Sequence, residues 1–191
     1  MSTTRHNEVA ACISKMLTES KMQVRSGENA RWIRGRKDLR PFDVVWRKDA
    51  SDKWTAIDVG IADPTRLSNL PSGKQYFKSG MAAARLADDK RVWLDNNVKD
   101  YGGLVAPVEY SPVVFETTGA WGKSAANCIN KIIRQADKAG VHKPGETGSW
   151  NAQAFSSYWK QRLSFTISKY TAISVLLGCK AVAKVHTSPS G

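Results

Sequence analysis

"TAIDVGIADPT", residues 55–65, is the stretch on which the fold turns. Its apolar run carries Asp58 in the middle, and Asp63 follows just past its end. A strand buried in a sheet with parallel neighbours reads as a continuous β-branched and aliphatic run. A carboxylate inside such a run is costly unless it is hydrogen-bonded, paired or bound to a cation. The rest of the chain must therefore supply a partner for Asp58. Asp63 stands before Pro64, where an aspartate reads as a turn-former.

Working outward, "FDVVWRK" (42–48) is a second strand-like run, and the polar "DASDK" between the two has the composition of a hairpin connection. Upstream, residues 5–19 place Val9, Cys12, Ile13, Met16 and Leu17 on one helical face, and "KMQVRSG" (21–27) reads as a short strand. Downstream, "SNLPSG" is a loop, and a helix is predicted from Lys74 into the nineties, with Gly80, Ala82, Ala83, Ala84 and Ala87 as its small-residue face. It frays at "NNVKDYGG", and "EYSPVVFETTG" (109–119) is a buried strand ending in a turn. Ala125, Ile129, Ile132, Ile133 and Ala136 mark the next amphipathic helix. A last helix or helix pair is predicted from Trp150 to Leu177. The order helix, three strands, helix, strand, helices predicts an α/β sandwich on a mixed sheet. Residues 1–180 form one domain in this reading, and 181–191 a disordered tail.

Composition bounds the function. The 191 residues, 41% hydrophobic and 24% charged, suit a globular protein with one core. No apolar stretch approaches the roughly 20 residues that span a bilayer, and the N-terminus lacks the pattern of a signal peptide, so an intracellular place without a membrane partner is expected. Cys12, Cys128 and Cys179 lie far apart, outside any CxxC pair, and read as reduced thiols rather than zinc ligands. Twenty-nine Lys and Arg against 17 Asp and Glu give a net charge of +12, which favours a polyanionic partner, nucleic acid first. In "RWIRGRKDLR" (31–40), Arg31, Arg34, Arg36, Lys37 and Arg40 surround Trp32. Such a segment can neutralise phosphates while the indole stacks on a base or packs inward.

Asp43 opens one strand of the expected hairpin and Asp58 lies in the other, so their carboxylates can meet at one end of the sheet. Two carboxylates forced together repel, and a hard divalent cation, Mg²⁺ (or Mn²⁺), resolves the repulsion. Such a site suits phosphodiester hydrolysis, which also calls for a cationic side chain at the phosphate. On the long helix Ala83, Ala87, Lys90 and Leu94 share a stripe, which makes Lys90 the candidate, with Lys99 in reserve. The competing readings pair Asp43 with Arg40 or Arg47 and satisfy Asp58 with a core arginine.

Taken together, "RPFDVVW", "WTAIDVGIADP", "AAARLADDK", "EYSPVVFETTGAWG" and "YWKQRLSFTI", spread from about Arg5 to Leu176, form an ordered series. The series resembles the restriction-endonuclease-like domain of the PD-(D/E)XK superfamily that follows the reverse transcriptase in retroelement and related mobile-element proteins. The resemblance implies an α-β-β-β-α-β core with a mixed sheet of about four strands, flanked by helices and extended by C-terminal ones. It also implies a metal-dependent endonuclease acting on DNA ahead of RNA, within a mobile-element protein, and nuclear if the element is eukaryotic. Asp43 matches the first acidic position and Asp58 the second. Val59 and Gly60 stand at the X and K positions, so the strand lysine is absent and Lys90 is placed to match its migrated form. Glu8 resembles the extra acidic metal ligand that some branches carry on the first helix. Glu116 ends the last core strand and is a further candidate, Gly119 serves the turn and Trp121 the packing. The alternative is a non-cutting nucleic-acid-binding or assembly module of the same fold.

Overall fold

The computed structural model describes residues 2–26, 32–34, 39–65, 79–100, 103–144 and 152–186. In chain order these form α1 (Ser2–Glu19), β1 (Gln23–Ser26), β2 (Val44–Arg47), β3 (Trp54–Ala62), α2 (Met81–Asp100), β4 (Val108–Glu116), α3 (Lys123–Lys138) and α4 (Phe155–His186). The strands make one open sheet in the order β1-β2-β3-β4. The pairs β1–β2 and β2–β3 are antiparallel, and β3–β4 is parallel. An α/β fold on a mixed four-stranded sheet is what the element order predicted. Pro112 has no N–H to give a second neighbour, which suits β4 to the sheet's edge.

Side chains alternate between the two faces of β3. Ile57 and Val59 join the main core, where α1, α3 and α4 contribute Ile13, Met16, Ile129, Ile132, Trp159 and Leu163. Ala56 and Ala62 face the other way, onto α2. Asp58 and Gly60 fall in step with these alanines, so the strand that is aliphatic on one side carries its carboxylate on the side α2 covers. Ala82, Ala83, Ala87 and Leu94 are the buried residues of α2, so the predicted small-residue face holds except at Ala84, which is exposed.

The largest departures from the expected boundaries fall at both ends of α2 and in the final helix. The helix α2 begins at Met81 rather than near Lys74, because Gly80 has φ +84° and cannot continue a helix; residues 66–78 lie outside the described ones. At its other end α2 does not fray but runs through the 95–100 segment to Asp100. The final helix is a single one from Phe155 to His186, so the predicted tail from 181 is helical as far as His186. The sequence there offers a physical reason, since "KAVAKVH" is free of proline and rich in good helix formers. The turn-forming roles expected of Asp63 and Gly119 hold: Asp63 Oδ1 accepts from the Thr65 N–H at 2.9 Å, and Gly119 has φ +88°.

Candidate active site

The ladder between β2 and β3 uses only Thr55, Ala56 and Ile57 of the longer strand. Beyond Ile57 that edge has lost its strand partner, and Asp43 takes over. Its N–H donates to Ile57 O at 2.8 Å, and its Oδ2 accepts the Val59 N–H at 2.6 Å. The carboxylate of Asp43 is thereby fixed one strand away from Asp58. Its other oxygen, Oδ1, lies 2.9 Å from His6 Nε2 on α1. Neither Arg40 nor Arg47 pairs with it: Arg40 is exposed, and Arg47 donates to Gln23 Oε1 and Ala50 O.

Asp58 has two partners of its own. Lys90 Nζ lies 2.6 Å from Oδ1, and the Tyr110 hydroxyl donates to Oδ2 at 3.0 Å. Among the described residues its counter-charge is thus a helix lysine and not a core arginine. The side chains of Lys90 and Asp58 keep 21% and 15% exposure, so the pair is reachable from water without being solvated. Lys90 reaches the strand because position 60 is glycine: a Cβ there would sit 2.9 Å from Lys90 Cε, 3.1 Å from Val114 Cγ2 and 3.2 Å from Leu86 Cδ2. The missing side chain of Gly60 is the channel through which the lysine stem passes.

The electrostatics follow from burial. Loss of water raises the Asp58 carboxyl above its ordinary range, the Lys90 charge opposes that, and the charge of Asp43 adds to the rise. His6 is raised first by its hydrogen bond to Asp43, with burial acting against it; Lys90 and Asp58 also act on it. Burial pushes the Tyr110 hydroxyl up, and the neighbouring Asp58 pushes it further, so it stays a protonated donor. His6, Asp43, Asp58, Lys90 and Tyr110 therefore form one coupled set drawn from α1, β3, α2, β4 and the residue before β2.

The fit to a divalent cation can be tested on these contacts. Each of the four oxygens of Asp43 and Asp58 already holds one donor. A carboxylate has about four lone-pair sites, so each keeps capacity for further ligation. Among the described residues no group of three or more His, Cys, Asp and Glu side chains is placed to hold a metal. Mg²⁺ commonly takes only one or two carboxylates and completes its shell with water and phosphate. The pair Asp43 and Asp58 fits that mode.

The remaining candidates disperse. Glu8 sits two residues from His6, about 200° around the helix at 3.6 residues per turn. It hydrogen-bonds Tyr170 on α4 and lines a groove with Arg162, Thr166 and Lys169, so it does not join Asp43 and Asp58. Lys99 is exposed in the last turn of α2. Glu116 is 3% exposed and turns inward: Oε1 accepts the N–H groups of Ala82 at 3.1 Å and Ala83 at 3.4 Å, while the Thr118 hydroxyl donates to Oε2. It closes the N-terminus of α2. Trp32 packs inward, 5.6 Å from the Phe42 ring and 6% exposed, so its indole is not offered to a base. Arg34 and Arg40 are exposed, and Arg31, Arg36 and Lys37 lie outside the described residues.

Two members of the cluster, His6 and Tyr110, were not singled out by sequence. For Tyr110 the signal was present in principle. It aligns with Ala56 on the parallel strand and therefore shares the face of Asp58, but that alignment needs the register. For His6 the only hint was its place two residues before Glu8, on a helix expected to approach the site. No protein-family model matches the sequence, and no curated protein is similar to it beyond chance.

Proposed function

We propose that the cluster around Asp58 is the site of a divalent-metal-dependent phosphodiester hydrolase of restriction-endonuclease-like fold, acting on nucleic acid and on DNA ahead of RNA. One observation carries the reading: Lys90 reaches Asp58 through the space left by Gly60. Position 60 lies two residues beyond Asp58 on the same face, where the resemblance expects a lysine. A side chain at 60 and the stem of Lys90 compete for one volume. The lysine of this chain thus arrives at the same carboxylate from the helix.

Asp43 and Asp58 would hold the cation, Mg²⁺ or Mn²⁺, which when bound supplies charge neutralisation at phosphate and a more acidic water. The chain's own groups do the rest. Tyr110 fixes the orientation of Asp58, and the Val59 N–H fixes that of Asp43. His6 holds the second oxygen of Asp43. Lys90 carries an ammonium that can turn from Asp58 Oδ1 to a phosphate oxygen as negative charge grows there, an interaction worth most in a site poor in water. The net charge of +12 attracts the polyanionic substrate. The place of such a domain within a mobile-element protein is part of the same proposal.

A second reading has its own observation. Each of the four carboxylate oxygens already holds a protein donor, which suits a module that binds nucleic acid and does not cut. The test is incubation of labelled duplex and single-stranded DNA and RNA with the protein in Mg²⁺, Mn²⁺ or EDTA. Cleavage that needs the cation and disappears in Lys90→Ala and Asp58→Asn, with binding retained, supports the hydrolase. Binding without cleavage under every ion supports the module. Absence of both overturns the two together.

A further inference from the structure

At the hairpin end of the sheet, two arginines converge on one tryptophan. Arg47 Cζ lies 4.4 Å from the centroid of the Trp54 ring, and Arg25 Cζ lies 4.8 Å from it. Trp54 opens β3 and anchors its inner edge beside Val45, Ala56 and Leu94. Arg47 is its neighbour across β2, one step beyond the Trp46–Thr55 pair, and Arg25 reaches over from β1. We infer that Arg25, Trp54 and Arg47 form a preorganised grip for the phosphodiester backbone of nucleic acid, feeding the strand toward Asp58. The inference rests on the nucleic-acid reading given above and adds a surface to it.

Three features argue for phosphate. First, the hydrogen bonds of Arg47 go to neutral oxygens, Gln23 Oε1 at 2.9 Å and Ala50 O at 2.7 Å, which orient the guanidinium without cancelling its charge. Of its five N–H donors, these leave three for a ligand. Second, each guanidinium lies against the same ring, which restricts both side chains before any ligand arrives, so the ordering cost of binding an anion is reduced. A planar fork of this kind matches a phosphate better than an ammonium does. Third, Trp54 precedes Asp58 by four residues on the same face of one strand, a separation of about 13 Å at the usual strand rise. That is the length of about four nucleotides along one strand of a duplex.

The lysines of the adjoining turn do not offer the same surface. Lys48 lies 3.6 Å from Asp49, and the turn 48–53 balances its two lysines with Asp49 and Asp52. The excess positive charge at this end belongs to the stacked pair.

The test is binding of the full chain to a fluorescent duplex in EDTA across a salt series, for the parent, Arg25→Gln, and Arg25→Gln with Arg47→Gln. Each lost phosphate contact should lower the slope of log K against log salt by about 0.9, so about 0.9 for the single and about 1.8 for the double variant. The control pair Lys48→Gln with Lys53→Gln should leave the slope in place. Arg25 is exposed, so the single variant carries the test if the double fails to fold. A parent that binds with the same slope as Arg25→Gln overturns the grip and leaves the proposed function standing. A control pair that lowers the slope as much as the arginine variants also overturns it. A parent that binds no duplex overturns both.

Discussion

Two carboxylates, Glu116 buried and Asp58 half-buried, flank the same helix and are satisfied in opposite ways. Glu116 meets the N-terminus of α2 and accepts two backbone N–H groups there. Asp58 meets the middle of α2 and accepts the side-chain ammonium of Lys90, with a tyrosine hydroxyl as its second donor. Backbone donors cannot leave without unwinding the helix end, and they add the helix dipole to the hydrogen bonds. A lysine on a flexible stem can leave, and the carboxylate it releases then seeks another cation. Glu116 is therefore a closed cap and Asp58 an exchangeable site. Glu116 is also the more deeply buried of the two, but the kind of donor is what decides which can exchange.

The largest expected effect is that of Lys90→Met, which keeps the stem and removes the charge. It leaves Asp58 desolvated with Tyr110 as its remaining donor. Breaking a buried pair costs about 3–5 kcal/mol, and the residual exposure of both side chains reduces this to about 2–3 kcal/mol, a fall in Tm of roughly 5–10 °C. The pH dependence has a definite sign. Asp58 is already raised in the folded protein, chiefly by burial, and losing Lys90 raises it further. A carboxyl raised on folding weakens the fold as pH rises through its folded value and ceases to do so once protonated. The gap between variant and parent should accordingly narrow from pH 7 to about pH 4.5. Excess Mg²⁺ should restore part of the loss at neutral pH, since the freed oxygen can take the ion. A gap that ignores both acid and Mg²⁺ would show that Lys90 serves packing alone.

Glu116→Gln should cost less, about 1–2 kcal/mol, because the amide oxygen can still accept from Ala82 and Ala83 while the charge at the helix N-terminus is lost. Mg²⁺ should not restore it, since no exchangeable cation was removed. Melts of both variants with and without Mg²⁺ sharpen the contrast, and a Glu116→Gln melt rescued by the ion would break it.

How much of this was legible in the sequence follows the same division. Asp58 announced itself, because a carboxylate within "AIDVGIA" demands a partner, and the stripe Ala83, Ala87, Lys90, Leu94 located that partner from helical periodicity alone. Those are local signals. Glu116 could not be read as a cap, because its helix begins 35 residues earlier in the chain and the start depends on Gly80 adopting positive φ. Tyr110 needed the parallel register of β3 and β4, and His6 needed the rotation of α1 over the sheet. Trp32 looked like a stacking platform amid arginines, yet its indole finds Phe42, since a large ring beside an apolar pocket is buried whatever the charge of its sequence neighbours. Arg25 and Arg47 sit 22 residues apart and meet only through Trp54, so no basic run marked them.

Asp43 lies between the two cases and offers the finest test. One of its oxygens is held by a backbone N–H, that of Val59, and the other by a side chain, that of His6. The comparison then predicts a half-exchangeable carboxylate, with the His6 half set by pH. The imidazole is raised by its hydrogen bond to Asp43, so the pair stabilises the fold fully below the ordinary histidine value of 6.5 and loses that contribution as pH climbs through the raised one. With close to a third of the His6 side chain exposed, the effect should stay below about 1 kcal/mol. Against His6→Gln, whose amide can donate to the same oxygen at any pH, the parent should be the more stable in mild acid and the advantage should fade as pH rises through the raised value, measured in EDTA to keep cations out. Val59 will hold its half throughout, so the fold itself should not loosen. An advantage that grew with pH would mean that His6 sits neutral beside Asp43, and the graded picture of the three carboxylates would fail at its middle member.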